Sequence, residues 1–315
     1  MTPKVLVIGA GAIGGFYGSL LAKAKAEVAV VCRSDYAQVK KHGINISSET
    51  LGNWHFRPSR VLQHASEYEG VADFVLLCTK VIPELDRVTL IRPAVKPQTS
   101  IVFIQNGVGI ENELLDAFPN NDIISGLAFI GCNRIGPGEI KHLAYGRLSL
   151  GTISSHPGTK TAALCELFNK SGIECSASDD IIRDRWRKCV WNAAFNPLSV
   201  LSGGLLTLDI LHSQEPLVRN IMQEISIIAA AIGHTLPTDS IDMSISSTYG
   251  MPSYKTSMLL DFENGHPMET EAILGNALRA ANGAGIASPH IETVYALMKL
   301  RDIKSGTALA NSKHE

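Results

Sequence analysis

Three polar side chains recur at every fourth position of the segment 185–198, whose other residues from 189 onward are apolar. The three polar residues are Lys188, Asn192 and Asn196. Residues four apart lie on one face of a helix, with Cβ atoms about 5–6 Å apart, so this spacing stacks an ammonium group and two amides in a row. Buried amides usually hydrogen-bond a specific partner. The row is therefore a candidate substrate site, although amides satisfied inside a core would give the same pattern. Pro197 should end or kink this helix.

Two further polar residues follow predicted strands. Asn106 comes directly after the apolar run 101–105, and Lys80 follows the run 71–78. In an open parallel sheet, ligands bind outside the carboxyl ends of the strands, so both side chains should face a ligand there. A plain Asn-Gly turn and an exposed loop lysine remain the alternatives.

A glycine-rich loop follows the first predicted strand. Gly9 allows a tight turn, Gly11 lets the backbone approach a pyrophosphate, and Gly14 lets the next helix pack closely on the strand. The pyrophosphate would lie at the helix N-terminus, at the backbone of Ala12 and Ile13. The pattern predicts a nicotinamide or flavin nucleotide, and a glycine turn without a ligand is the alternative.

The end of the second predicted strand, 27–31, indicates which nucleotide binds. An NAD-specific unit has an Asp or Glu there, about 20 residues after the glycines, for the ribose 2′-hydroxyl. Here Arg33 and Ser34 offer a guanidinium and a hydroxyl, which suit a 2′-phosphate. NADP(H) is therefore predicted. The alternative is that Arg33 is a solvated cation and that Asp35 binds the ribose.

Composition excludes several classes of protein. The chain has 315 residues, 45% hydrophobic and 18% charged, with 28 Lys and Arg against 30 Asp and Glu. This balance gives no nucleic-acid footprint and no membrane patch, which leaves a small molecule as the partner. Neither the six cysteines nor the ten histidines show metal-ligand spacing, so no metal is expected. Because a strand begins at Lys4 and no later segment is long enough to span a bilayer, we expect a cytoplasmic protein.

Strand-like and helical segments alternate up to about residue 179. The predicted strands are 4–8, 27–31, 71–78, 101–105, 122–133, 138–151 and 172–177. The predicted helices between them are 14–26, 34–42, 81–95, whose ends are marked by Pro83 and Pro93, and 156–170. Such alternation is typical of a Rossmann-type, doubly wound parallel sheet.

Beyond residue 180 the apolar period changes to that of helices. The predicted helices there are 181–201, 216–232, 252–263, 268–282 and 289–304. We therefore expect an α/β protein with an N-terminal NADP-binding Rossmann-type domain, 1–179, and a C-terminal all-helical substrate domain, 180–307. A flexible tail, 308–315, should follow.

An ordered set of motifs resembles the ketopantoate reductase (2-dehydropantoate 2-reductase) family over nearly the whole chain. The motifs are GAGAIGG at 9–15, the Thr79-Lys80 strand end, QNGVG at 105–109, GRLSLG at 146–151, WRKCVWNAAFNPLSVL at 186–201, SMLLD at 257–261 and GIASP at 285–289. The resemblance implies NADPH-dependent reduction of 2-dehydropantoate to (R)-pantoate, in pantothenate and coenzyme A biosynthesis. It is also compatible with a homodimer.

For the coenzyme, the resemblance implies contacts at residues already singled out. The pyrophosphate would lie on Gly9, Gly11 and Gly14, the 2′-phosphate on Arg33, and the adenosine side on Lys80.

For the substrate, the resemblance implies that Asn106 touches both the nicotinamide half of the coenzyme and the substrate. It also implies that Lys188 is the catalytic lysine and that Asn192 and Asn196 bind the substrate. Hydride delivery to the C2 ketone of a 2-oxo acid leaves negative charge on oxygen, which a lysine can stabilise and protonate. Burial beside a neighbouring arginine would lower the pKa of Lys188 toward neutrality and ease that proton transfer.

Two residues near the C-terminus complete the implied site. Ser257 matches a serine that holds the substrate carboxylate, and Glu269 matches an acidic residue that meets the substrate hydroxyl. Considered without the resemblance, Ser257 could cap the following helix and Glu269 could complement a helix dipole.

Two positions depart from the family pattern. Leu206 and Leu274 stand where other members have asparagine. A less polar pocket would favour another branched or bulky 2-oxo acid as substrate, which is the first alternative function. A non-catalytic NADP-binding sensor is the second.

Overall fold

The computed structural model describes residues 2–154 and 160–311, which form two compact units. The sheet unit comprises Met1–Lys80, Leu85–Gln105 and Glu111–Ile181. The helical unit comprises Val81–Glu84, Asn106–Ile110 and Ile182–Glu315. Two short segments, 81–84 and 106–110, thus interrupt the sequence of the sheet unit and belong to the helical unit.

Within the described residues, ten strands of the sheet unit form one sheet. The strands are β1 (Lys4–Ile8), β2 (Glu27–Val31), β3 (Ile44–Ser48), β4 (Gly52–Phe56), β5 (Arg60–Leu62), β6 (Phe74–Leu77), β7 (Ser100–Ile104), β8 (Ile123–Gly136), β9 (Glu139–Thr152) and β10 (Cys175–Ala177). Their order is β4-β3-β9-β8-β7-β6-β1-β2-β5, with β10 paired to β9. Neighbouring strands are parallel except in the pairs β3–β4 and β8–β9.

The sheet unit also contains five α-helices among its described residues. They are α1 (Ala12–Lys23), α2 (Tyr36–His42), α3 (Arg87–Ile91), α4 (Asn112–Ala117) and α5 (Lys160–Lys170). The central strands β1, β6 and β7 are apolar and buried almost throughout, as a parallel sheet covered on both faces requires. The predicted Rossmann-type sheet is therefore confirmed. Because these strands are parallel, Gly9, Lys80 and Gln105 follow them at one edge of the sheet.

The sheet unit differs from prediction in two places. Strands β3, β4 and β5 occupy the region 44–62, for which no strand was predicted. The predicted helix 81–95 is too long, because only the shorter α3 and a 3₁₀ turn at 92–94 form there. Pro83 disfavours a helical Ile82, and Pro93 has no N–H to donate. The predicted start of α5 at 156–158 lies outside the described residues.

The helical unit confirms the predicted all-helical C-terminal domain. Its helices are α6 (Ile181–Leu201), α7 (Thr207–Ala231), α8 (Ser240–Tyr249), α9 (Ser257–Glu263), α10 (Asn276–Gly283) and α11 (Pro289–Asn311). A π-helical turn, Glu271–Gly275, comes directly before α10. Helix α8 was not predicted. None of the helices in the described ranges is long and apolar enough to cross a membrane.

Helices α7, α9 and α11 differ in extent from prediction, and α9 begins at Ser257, five residues after the predicted start at 252. Pro197 lies inside α6 without ending it. Helix α7 starts nine residues before Pro216 and is kinked at Gln214, so the predicted start at Pro216 is that of its second part. Helix α11 continues to Asn311, into the predicted tail.

Glu224 of α7 holds the start of α11. Its Oε1 accepts from His290 N at 3.0 Å and lies 2.6 Å from His290 Nδ1, and its Oε2 accepts from Ile291 N at 2.8 Å. The first N–H groups of a helix lack intrahelical acceptors, so this carboxylate acts as a cap supplied by another helix.

Candidate active site

The glycine loop after β1 has the geometry of a nucleotide-binding turn. Gly9 has a φ of 92°, and a Cβ there would lie 2.8 Å from Thr79 Cγ2. At Gly14 a Cβ would lie 2.2 Å from the Gly9 carbonyl oxygen, so α1 packs on the loop only because both residues lack side chains. At Gly11, in contrast, a Cβ would meet no atom within 4 Å. Gly11 therefore faces open space, as the approach of a pyrophosphate requires.

The N-terminus of α1 offers backbone N–H groups to the same anion. Gly11 is the N-cap and supplies no side-chain hydrogen bond. The first intrahelical bond runs from Gly15 N to Gly11 O at 2.8 Å. The N–H groups of Ala12 and Ile13 come before this bond and have no intrahelical acceptor. These residues fit the phosphates of a dinucleotide.

Arg33 and Asp35, the two candidates for the ribose, have very different surroundings. Arg33 is exposed, and its side chain makes no hydrogen bond or ion pair with another described residue. Asp35 is only 5% exposed; its Oδ2 accepts from Arg134 Nε at 2.7 Å and from Gly138 N at 3.1 Å. Burial opposes the ionisation of Asp35, but these bonds and one from Ser34 outweigh it and lower its pKa. The Asp35 carboxylate is thus engaged in a structural ion pair.

Gln105 ties the ends of β6 and β7 together. Its Nε2 donates to the Thr79 carbonyl oxygen at 2.6 Å, and its Oε1 accepts from Arg87 Nη1 at 2.8 Å. Arg87 is 2% exposed. The half-buried Lys80 follows Thr79 directly, so its backbone starts from a fixed point. Neither Gln105 nor Arg87 was predicted as a site residue, although Gln105 begins the QNGVG motif.

Three predicted residues form a hydrogen-bonded chain within the helical unit. Lys188 Nζ donates to Asn106 Oδ1 at 2.9 Å, and Asn106 Nδ2 donates to Glu269 Oε2 at 3.2 Å. The other oxygen of Glu269 accepts from Val81 N at 3.1 Å. An ammonium group only donates, so Lys188 determines which way the Asn106 amide faces. A helix-dipole role alone does not explain these contacts of Glu269.

The surroundings of Lys188 change its acidity. Burial of the ammonium group and the positive charge of Arg185 lower the pKa of Lys188 from 10.5 to about 8, against an opposing effect of the Glu269 carboxylate. Arg185 lies one helical turn earlier on α6 and is 2% exposed. A group with such a pKa is largely protonated at neutral pH and still releases its proton readily.

The segment 106–110 has little freedom to move. Arg185 Nη1 donates to the Gly107 carbonyl oxygen at 2.9 Å, and Val108 N donates to Ala272 O at 3.0 Å. Gly107 has a φ of 109°, and a Cβ there would lie 2.7 Å from both Ala272 Cβ and Ala272 O. The Asn-Gly pair is therefore more than a turn: only glycine fits at 107.

The two predicted substrate amides are buried without protein partners. Asn192 is 7% exposed and Asn196 is 2% exposed. Neither side chain hydrogen-bonds another residue within the described ranges. Buried amides nearly always have a hydrogen-bond partner. Because neither of these amides has one among the described residues, the alternative of amides satisfied within the core does not apply. Both are available to a polar ligand or to water.

Thr256, and not Ser257, caps α9. The Thr256 hydroxyl accepts from Leu259 N at 3.2 Å and lies 2.6 Å from the Ser199 hydroxyl. Ser257 is exposed and makes no side-chain hydrogen bond to any described residue. The capping alternative for Ser257 is therefore wrong. The structure does not hydrogen-bond Ser257, Asn192 or Asn196 to the Lys188–Asn106–Glu269 chain.

The two departures from the family pattern have different positions. Leu274 is 0% exposed and packs in the apolar core of the helical unit, so it does not line a ligand site. Leu206 is the half-buried N-cap residue of α7. Of the two, only Leu206 is partly exposed to solvent.

The described part of the chain contains no group of three His, Cys, Asp or Glu side chains that could hold a metal ion. Its six cysteines are free thiols.

Comparison with known proteins gives matches to both halves of the chain. The family model described as ketopantoate reductase PanE/ApbA matches residues 5–155, and the model of the C-terminal part of the same family matches 180–302. A 2-dehydropantoate 2-reductase from Nostoc sp. PCC 7120 is 32% identical, over 96% of this chain and 97% of that protein.

Solved structures give similar matches. The crystal structure of 2-dehydropantoate 2-reductase from Methylococcus capsulatus is 57% identical with a TM-score of 0.91, over 96% of this chain and 97% of that one. The enzyme of the same name from Geobacter metallireducens GS-15 is 33% identical with a TM-score of 0.88, over 94% and 99%.

Proposed function

The chain belongs to the ketopantoate reductase family, an oxidoreductase family dependent on pyridine nucleotides, and on this premise we propose that it reduces 2-dehydropantoate to (R)-pantoate with NADPH. The reaction is a step in pantothenate and coenzyme A biosynthesis. Lys188 acts as the general acid.

The observation that carries this proposal is the Lys188–Asn106–Glu269 chain. When bound, NADPH supplies the hydride that adds to the C2 ketone. The ketone oxygen gains negative charge as the hydride arrives, and Lys188 donates the proton that makes it a hydroxyl. The Asn106 amide directs its oxygen toward Lys188 and its nitrogen toward Glu269. This hydrogen bonding fixes the position of the Lys188 ammonium group. Glu269 accepts from the new hydroxyl and orients it.

The remaining predicted residues take the other polar groups of the substrate. Asn192 and Asn196 offer amides that have no partner among the described residues, and each can both donate and accept. Ser257 offers a hydroxyl that is not used as a cap, and it binds the substrate carboxylate.

The preference for NADPH over NADH rests on the end of β2. Arg33 is exposed and offers a planar, bidentate cation, which is suited to a phosphate. An acidic residue that would repel the 2′-phosphate and bind a ribose hydroxyl is present as Asp35, but Arg134 neutralises it. The uncapped N-terminus of α1 receives the pyrophosphate.

The test is an NADPH-consumption assay with 2-dehydropantoate beside a panel of straight-chain, branched and aromatic 2-oxo acids. We expect 2-dehydropantoate to give the highest kcat/KM. A higher kcat/KM for another acid would identify that acid as the substrate and leave the reaction type unchanged. No turnover with any acid would favour a non-catalytic sensor.

A lysine variant tests the mechanism separately. Lys188→Ala should lower kcat by about 10²–10⁴-fold, the usual contribution of a general acid, and leave NADPH affinity nearly unchanged. Lys170→Ala is the matched control, because the Lys170 side chain is 68% exposed on α5. Unchanged turnover of Lys188→Ala would rule out its role.

A further inference from the structure

Side chains of two helices hold the π-helical turn that precedes α10. Within this turn, Glu271 accepts from the Tyr295 hydroxyl and from Lys299 Nζ, both at 2.8 Å, and from Arg279 Nη1 at 3.0 Å. Burial alone would raise the pKa of Glu271, but these bonds outweigh it and lower the pKa to about 2. Single π-turns cost helix hydrogen bonding and are frequent at functional sites. Three donors to one carboxylate therefore stabilise an element that is otherwise unfavourable.

Arg279 also determines which way the Asn276 amide faces. Its Nη2 donates to Asn276 Oδ1. A guanidinium has no acceptor, so the amide oxygen must face Arg279 and the amide nitrogen must face away. That nitrogen donates to the Val108 carbonyl oxygen at 2.7 Å. With the amide reversed, two carbonyl oxygens would face each other.

Val108 is thereby held through both of its backbone groups. Its N–H donates to Ala272 O of the π-turn at 3.0 Å, and its carbonyl oxygen accepts from Asn276 at the start of α10. Gly107, the residue before it, lies against Ala272 with no room for a Cβ. A displacement of Val108 is therefore transmitted to Asn106, the middle member of the Lys188–Asn106–Glu269 chain.

We propose that Glu271, Arg279 and Asn276 are positioning residues, which hold the 106–110 segment so that Asn106 bridges Lys188 and Glu269. None of the three needs to touch the substrate. The catalytic consequence rests on the proposed function, whereas the effect on the segment itself can be measured without turnover.

Asn276→Ala is the main test, and Asn282→Ala is its matched control, since Asn282 is an exposed asparagine on the same helix. Hydrogen–deuterium exchange of the peptide that contains 106–110 should accelerate by about tenfold or more in Asn276→Ala, because the Val108 carbonyl loses its donor, and should not change in Asn282→Ala. Turnover of Asn276→Ala should fall by about 10- to 100-fold, as misplaced catalytic groups usually cause. KM for NADPH should change much less than kcat, because Asn106 is the one residue expected to contact the coenzyme from the 106–110 segment, whereas Gly9, Gly11, Gly14, Arg33 and Lys80 lie in the sheet unit.

The pH dependence separates positioning from a purely structural role. The Asn106 oxygen accepts from the ammonium form of Lys188 and favours it, so a loosened Asn106 should move the alkaline limb of kcat/KM to lower pH. A variant that is merely less stable would keep the wild-type kcat and pH profile once folded.

Equal exchange in Asn276→Ala and Asn282→Ala, or a wild-type kcat and pH profile in Asn276→Ala, would overturn the proposal. If Asn276→Ala fails to fold, Glu271→Gln makes the same test while keeping the size of the side chain. If the wild-type protein reduces no 2-oxo acid, the proposed function fails, and the exchange comparison still decides whether these residues hold the segment.

Discussion

The lowered pKa of Lys188 predicts a specific pH profile for ketone reduction. In its proposed role of general acid, Lys188 must be protonated, and kcat/KM reports ionisation in the free enzyme. With a pKa of about 8, kcat/KM should be level below about pH 7 and fall tenfold for each pH unit well above 8. About three quarters of the Lys188 side chains are protonated at pH 7.5 and about one tenth at pH 9.

Two substitutions should move this alkaline limb in opposite directions. The Glu269 carboxylate raises the pKa of Lys188, so Glu269→Gln should move the limb to lower pH. Arg185 lowers the pKa of Lys188, so Arg185→Met should move the limb to higher pH. Opposite movements distinguish these charge effects from a general loss of activity.

The assay is NADPH oxidation with 2-dehydropantoate between pH 6 and 10, in buffers of constant ionic strength. Lys188→Arg is the control, because a guanidinium stays protonated over this range and its residual activity should lack the limb. The reasoning would be refuted by a limb above about pH 9.5, where an ordinary lysine titrates. A limb that persists in Lys188→Arg would assign it to another group.

Three further predictions concern the coenzyme, the 106–110 segment and stability. Arg33→Ala should weaken NADPH binding by about 10- to 100-fold, because charged hydrogen bonds to the 2′-phosphate are lost, and should weaken NADH binding far less. Equal losses of affinity for the two coenzymes, measured by fluorescence titration, would contradict the 2′-phosphate contact. Gly107→Ala should lower kcat by about 100-fold, because its Cβ would overlap Ala272. Gly109→Ala should cost much less, because its φ of 63° lies in the left-handed region, which costs another residue about 1–2 kcal/mol, and its Cβ would meet nothing closer than 3.9 Å. Similar kinetics for the two would refute the steric argument. Glu224→Gln should lower the free energy of unfolding, measured in urea, by about 1–3 kcal/mol, because a neutral amide accepts the two N–H groups of α11 less well. Glu292→Gln, which is exposed in the first turn of α11, should change this free energy little. Equal effects of the two substitutions would show that the cap is not specific.

Much of the fold could be predicted because its signals are local. The buried strands β1, β6 and β7 are short apolar runs, and α6 has a complete helical period from Ile181 to Leu201. Strands β3 to β5 contain no comparable apolar run: the alternation in β3 covers only five residues, and β5 has three residues. Their pairing depends on partners far along the chain, such as β9 for β3, which no local pattern indicates.

The candidate site divides in the same way. The Lys188, Asn192 and Asn196 row follows from helical spacing, and the role of Gly9 follows from the need for a positive φ. The engagement of Asp35 by Arg134 could not be predicted, because 99 residues separate them. The roles of Asn276 and Arg279 were missed for the same reason, since their effect on Val108 depends on a π-turn that an ordinary helical period conceals.

The make-up of the helical unit affects how the enzyme can be recombined with its relatives. Segments 81–84 and 106–110 belong to that unit although they lie far upstream of its main sequence, 182–315. A chimera joined once near residue 181 would pair the Lys188 and Glu269 of one parent with the Asn106 and Val81 of the other. Exchange of the helical unit between homologues therefore requires grafting three stretches together, and a single-crossover library would mostly sample mismatched partners for Lys188 and Glu269.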